Sequence, residues 1–71
     1  MPDYTCRIER STNGPPAWSA LLFEDGSRKR EIECNFDPHV PGDEQRALDQ
    51  AEKSCRTWGT KYGARRIGST A

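Results

Sequence analysis

The sequence predicts an α+β fold: a three-stranded antiparallel meander followed by one α-helix packed on one sheet face. Three observations carry this. Apolar and polar residues alternate with period two over the first half of the chain. Turn chemistry separates three such runs. A stripe of apolar residues at three- and four-residue spacing then follows a break rich in proline and glycine. The chain has 71 residues, with 32% apolar and 31% charged. That is one domain, near the lower limit for folding alone, so the core must be thin. One sheet face against one helix is the economical solution.

In chain order, "YTCRIER", Tyr4 to Arg10, places Tyr4, Cys6 and Ile8 on one face and Thr5, Arg7 and Glu9 on the other. "STNGPP", Ser11 to Pro16, is turn chemistry: Asn13-Gly14 tolerates positive φ, and two prolines cannot continue a ladder. Ala17 to Glu24 is the second strand, central in the meander. Ser27 to Phe36 is the third. It sets Arg28, Arg30, Ile32, Cys34 and Phe36 against Lys29, Glu31, Glu33 and Asn35.

The second strand poses a problem. Leu21, Leu22 and Phe23 stand in a row, so apolar side chains point both ways. A two-residue turn at Asp25-Gly26 would bury Leu21 and Phe23 and leave Trp18 and Leu22 outside. A bulge with Gly26 as its extra residue shifts the parity by one. Trp18, Ala20 and Leu22 then face the core, with Leu21 and Phe23 on the far face. The second register is favoured because it buries the tryptophan. Two explanations remain for the apolar residues left outside: cover by long Lys and Arg stems or by the C-terminal segment, or an interaction surface rimmed by charge.

"DPHVPG", Asp37 to Gly42, breaks regular structure. Asp43 then reads as an N-cap, and the helix runs over 43–58 with Gly59 as its C-cap. Ala47, Leu48, Ala51, Cys55 and Trp58 form its apolar stripe. Asp49 with Lys53, and Glu52 with Arg56, have the spacing of stabilising pairs. Tyr62 returns to the core. Ala64 to Gly68 either adds a short edge strand or trails off, and Ser69 to Ala71 are expected to be disordered. The predicted core is Tyr4, Cys6, Ile8, Trp18, Ala20, Leu22, Ile32, Cys34, Phe36, Leu48, Ala51, Cys55 and Trp58.

Formal net charge is zero, from 11 basic and 11 acidic side chains. This removes the bulk electrostatic footprint of a non-specific nucleic-acid binder, and equally the dense negative charge of a DNA mimic. No apolar run approaches ~20 residues, so no membrane span is expected, and no signal peptide is visible. Cys6, Cys34 and Cys55 lie far apart with no C-x-x-C pair. Three buried thiols in a reducing cytosol is the favoured reading, with one disulfide and a leftover thiol as the alternative. A zinc site from these thiols and His39 matches no familiar module spacing. No metal or cofactor is expected. Catalysis is not expected either: His39 sits in a loop with Asp37 and Asp43, and no nucleophile elbow, phosphate cradle or H-E-x-x-H occurs.

Two binding readings follow. A protein-binding surface would use Leu21, Phe23, Arg28, Lys29 and Arg30, and the same face could serve a homodimer. A nucleic-acid surface would use Arg28, Lys29, Arg30, Arg65 and Arg66, with Trp58 and Tyr62 as stacking partners. The order of elements is similar to the double-stranded RNA-binding domain. That domain, however, opens with a helix and has a basic helix start, whereas this helix starts "GDEQRA".

The segment "PGDEQRALDQAEKSCRTWGTKY", with Trp58-Gly59 and Tyr62 after a three-stranded meander, resembles in layout the small phage-encoded anti-CRISPR proteins of the type I systems. The resemblance covers most of the chain and carries no shared catalytic motif, so it transfers no site residue. It implies a stoichiometric inhibitor in the cytoplasm of a bacterial host cell. Such an inhibitor docks on a CRISPR effector complex and blocks target DNA binding or nuclease recruitment.

Overall fold

The computed structural model describes residues 1–11 and 13–67, so Thr12 and the expected disorder of Ser69 to Ala71 lie outside the described residues. The order of elements is β1 (Tyr4–Ser11), β2 (Ala17–Glu24), β3 (Ser27–Asn35), α1 (Asp43–Tyr62) and β4 (Arg65–Arg66). The strands form one sheet in the order β3-β2-β1-β4. The three long strands are antiparallel neighbours, and β4 lies parallel to β1. The α+β meander with one helix on one face is therefore the fold, and Arg65–Arg66 supplies the short edge strand.

The β2–β3 register combines the two alternatives. Asp25 and Gly26 have φ of 51° and 85°. These are the two positive angles of a two-residue hairpin turn, which Asp-Gly accommodates readily. Glu24 pairs with Ser27 and Phe23 with Arg28, but Leu22 pairs with Arg30. The extra residue is therefore Lys29, inside β3, and not Gly26 as the sequence reading had it. The consequence for the faces is as favoured: Trp18, Ala20 and Leu22 lie opposite Cys34, Ile32 and Arg30 on the helix side. Arg28 moves to the other face, which corrects its expected grouping with Arg30 and Ile32.

The main core joins Cys6, Ile8, Ala20 and Leu22 to Ala51, Cys55 and Trp58 of α1. A second cluster at the helix start holds Cys34, Phe36 and Ala47. Ala47 and Ala51 are fully buried, and their small size brings the helix backbone close to the sheet. Tyr4, Trp18, Leu48 and Tyr62 are partly buried against this core. Ile32 departs from expectation at 41% exposed, because α1 crosses from the end of β3 toward β1 and leaves the middle of β3 uncovered.

The helix is longer than predicted. It continues through Gly59 to Tyr62 and ends at Gly63, whose φ of 70° is left-handed. The Gly63 N–H donates to the Gly59 carbonyl at 3.0 Å and the Ala64 N–H to the Trp58 carbonyl at 3.4 Å, so two carbonyls of the last turns are satisfied. Gly59 serves packing instead: a Cβ there would sit 3.4 Å from the Ala64 carbonyl oxygen. At the other end Gly42 occupies the cap position, and Asp43 is the first helical residue. The Asp43 carboxylate accepts from the Asp37 N–H and from Arg46 Nε, both at 2.7 Å, and so ties the preceding loop to the helix.

The cysteine expectation is also corrected. Cys6 and Cys55 form a disulfide that links β1 to α1 across 49 residues, with Cα atoms 5.8 Å apart. This separation is ordinary for a bridge. Cys34 is free and buried, and burial pushes its thiol up from its usual value. The helix-surface pairs differ as well. Asp49 accepts from Gln45, and Glu52 receives both terminal nitrogens of Arg66, so neither expected pair forms.

Candidate protein interface

The face of the sheet opposite α1 answers the puzzle of the double-sided strand. Leu21 lies between Arg7 and Glu31 in the ladder and is only 3% exposed. Arg7 lies down over this face: its guanidinium sits 5.7 Å from the Phe23 ring centre and pairs with Glu9. Its Nε is enclosed without a hydrogen-bond partner. An arginine stem is thus the cover, the first of the two explanations. Leu21 is a buried residue on this face, not the exposed contact residue expected, and Phe23 is half-buried under Arg7. Nothing in the sequence locates Arg7 over Phe23 without the register, since the two meet through a diagonal across β1 and β2.

The basic triplet is where the sequence put it. Arg28, Lys29 and Arg30 are exposed near the hairpin tip. Arg28 is 3.6 Å from Glu31, and Lys29 is 3.3 Å from Glu24. Exposed pairs such as these hold little free energy and yield readily to a better partner. Arg30, on the helix side of β3, forms no ion pair among the described residues. The C-terminal arginines are differently placed. Arg65 is held by both oxygens of Asp3 at 3.1 Å, and Arg66 by Glu52. Both lie at the β1 edge, far along the sheet order from the triplet, so the five basic residues of the nucleic-acid reading do not form one patch.

Trp58 is buried in the core and Tyr62 stacks on Tyr4 with ring centres 5.0 Å apart. Both are engaged in packing. His39 is exposed, and its N–H donates to Asp37 Oδ1 at 2.9 Å. The carboxylates of Asp37 and Asp43 order the loop. Among the described residues no group of three or more His, Cys, Asp or Glu side chains is placed to hold a metal ion.

The outer edge of β3 was not singled out from sequence. Eight of its nine residues are exposed, Cys34 being the exception, and among the described residues no strand pairs with that outer edge. Between β3 and α1 runs an open groove of about 400 Å³, floored by Ile32, Cys34 and Trp58 and bordered by Lys53. The amphipathic pattern of "REIEC" carried a signal for this edge, but its exposure depends on the path of α1 over the sheet.

No protein family, curated protein or solved structure matches this chain.

Proposed function

We propose that this protein is a non-enzymatic binding module that inhibits a protein target, docking through the β2–β3 tip and the adjoining β3 edge. In keeping with the layout it shares with small type I anti-CRISPR proteins, the target is a bacterial CRISPR effector complex. The observation that carries the reading is the open edge of β3, a nine-residue strand with a basic end and, among the described residues, no paired strand along it. Sheet edges of this length are ordinarily shortened, covered or paired. At the opposite edge β4 pairs with Thr5 and Cys6, whereas among the described residues nothing pairs along this one. Phe23 and Arg28 to Arg30 supply a small aromatic and cationic rim beside it, and Leu21 supports that rim from below.

The test uses a purified type I effector complex with its guide RNA, immobilised and exposed to the chain after nuclease treatment. Stoichiometric binding that survives nuclease and falls little between low and moderate salt is expected. Arg28→Glu combined with Arg30→Glu should weaken it at least tenfold. Absence of binding overturns the effector assignment. Binding lost with nuclease, or falling steeply with salt as phosphate contacts do, overturns the protein-binding reading in favour of nucleic acid.

A further inference from the structure

The exposed edge of β3 has a charge pattern that discriminates between strands. On the helix side it presents Arg30, Ile32 and Cys34; on the far side, Glu31 and Glu33. Lys29 bulges out of the ladder, so the regular edge runs from Arg30 to Asn35. A second copy of the chain would pair here antiparallel about a two-fold axis perpendicular to the sheet, which sets residues on the same face opposite one another. Centred on Arg30, that arrangement sets Arg30 against itself. Centred on Glu31 or Glu33, it sets that glutamate against itself. Centred on Ile32, it sets Glu31 against Glu33 twice. Like charges directly opposite are destabilising. The edge is open, yet it resists its own copy in each of these registers.

A different strand meets no such conflict. We infer that the β3 edge takes an extended segment of a partner protein as an added antiparallel strand, with basic residues opposite Glu31 and Glu33, an apolar residue opposite Ile32 and an acidic residue opposite Arg30. The apolar residue enters the groove over Ile32, Cys34 and Trp58, where Ile32 is now 41% exposed. The acidic residue meets Arg30, which has no ion-pair partner among the described residues, and Lys53 borders the same groove. Strand addition draws affinity from main-chain hydrogen bonds and specificity from alternate side chains, and both are available here. The inference rests on the protein-binding reading above and specifies the recognition element.

The experiment titrates two blocked hexapeptides into the isotope-labelled chain and follows its backbone amides by NMR. The first reads threonine-lysine-valine-lysine-glutamate-threonine. The second exchanges lysine and glutamate throughout. The first is expected to shift and protect amides of residues 30–35 and to bind about tenfold tighter, since three cross-strand charge pairs change sign. Glu31→Lys with Glu33→Lys, both on the exposed strand, should reverse the preference. If that variant does not fold, the wild-type comparison decides alone. Equal affinities overturn the inference, as does no binding by either peptide, shifts confined to other elements, self-association of the free chain through β3, or a single-stranded DNA oligomer that displaces the first peptide from β3. Effector capture without peptide discrimination defeats only this inference. Peptide discrimination without effector capture defeats only the effector assignment.

Discussion

The two edges of the sheet are built on different terms. At the β1 edge, β4 adds a parallel strand, and the Ile67 N–H donates to the Cys6 carbonyl at 2.9 Å. Arg65 and Arg66 tie that segment to Asp3 and Glu52, and the Cys6–Cys55 bridge fastens β1 to the helix. At the β3 edge there is no further strand and no bridge among the described residues, and the helix meets the end of the strand, where Cys34 packs with Ala47 and Arg46 donates to the Asn35 carbonyl at 3.0 Å. This small domain concentrates its fastening around Asp3, Cys6 and Arg65. It leaves the other edge with a bulge and alternating charges, which set like charges opposite one another in the longer self-paired registers without covering the backbone. The fastening of this four-stranded sheet is therefore gathered at one edge, and the other edge is open among the described residues.

The largest expected effect removes the fastening of the β1 edge. Cys6→Ala with Cys55→Ala opens a loop spanning 49 residues in sequence. Chain-entropy reasoning gives a cost of about 4 kcal/mol for a loop of this size. Denaturant unfolding of the wild type with and without reductant, beside the double variant, measures it. Equal midpoints for oxidised and reduced chains would place the stability of this edge elsewhere.

A pair of isoleucines sharpens the contrast. Ile8 on β1 is 2% exposed, whereas Ile32 on β3 is 41% exposed. Ile8→Ala should cost about 2–5 kcal/mol, the range for a truncated core side chain. Ile32→Ala should stay within about 1 kcal/mol. Both are read from urea unfolding. An Ile32 variant as destabilised as the Ile8 variant would mean that the β3 edge is part of the core, and the division between the edges would fail.

How legible this molecule was from its residues divides along the same line. The strands, their order and the helix face followed from periodicity, because Cys6, Ile8, Ala20, Leu22, Ala51 and Trp58 each obey the spacing of their element. The parity of β2 followed from burying Trp18, although the bulge that sets it lies at Lys29 rather than at Gly26. No local pattern distinguishes those two positions. The helix end was misplaced because Gly59 and Gly63 both qualify as caps, and only the close approach of Ala64 separates their roles. The count and spacing of the cysteines argue against a disulfide, and only the crossing of α1 over β1 brings Cys6 to Cys55. Of the candidate interface, the basic triplet was visible as a run. The burial of Leu21 beneath Arg7 was not, since it requires two strands in register.

The smallest predicted effect concerns pH and distinguishes the two ends of the helix. At its start, Arg46 and the Asp37 N–H hold the Asp43 carboxyl below its usual range, while Arg10 and the Trp18 indole N–H do the same for Glu44. Groups with lowered folded pKa values contribute stability above their unfolded values, near ~4, and lose it as pH falls through the folded values. At the other end, the hydrogen bond from the Tyr4 hydroxyl to Glu24, at 3.0 Å, raises the Tyr4 pKa. That contribution is full below the unfolded value, near ~10, and is lost as pH rises through the folded one. Acid should therefore loosen the Trp18–Glu44 corner first, and alkali the Tyr4–Tyr62 corner. The Trp18 indole N–H resonance and tyrosine absorbance, followed across both limbs, separate the two events. Glu44→Gln should flatten the acid limb and leave the alkaline limb unchanged, and Tyr4→Phe should do the reverse. If either substitution moves both limbs together, the helix responds to pH as one unit and its two ends are not independently fastened.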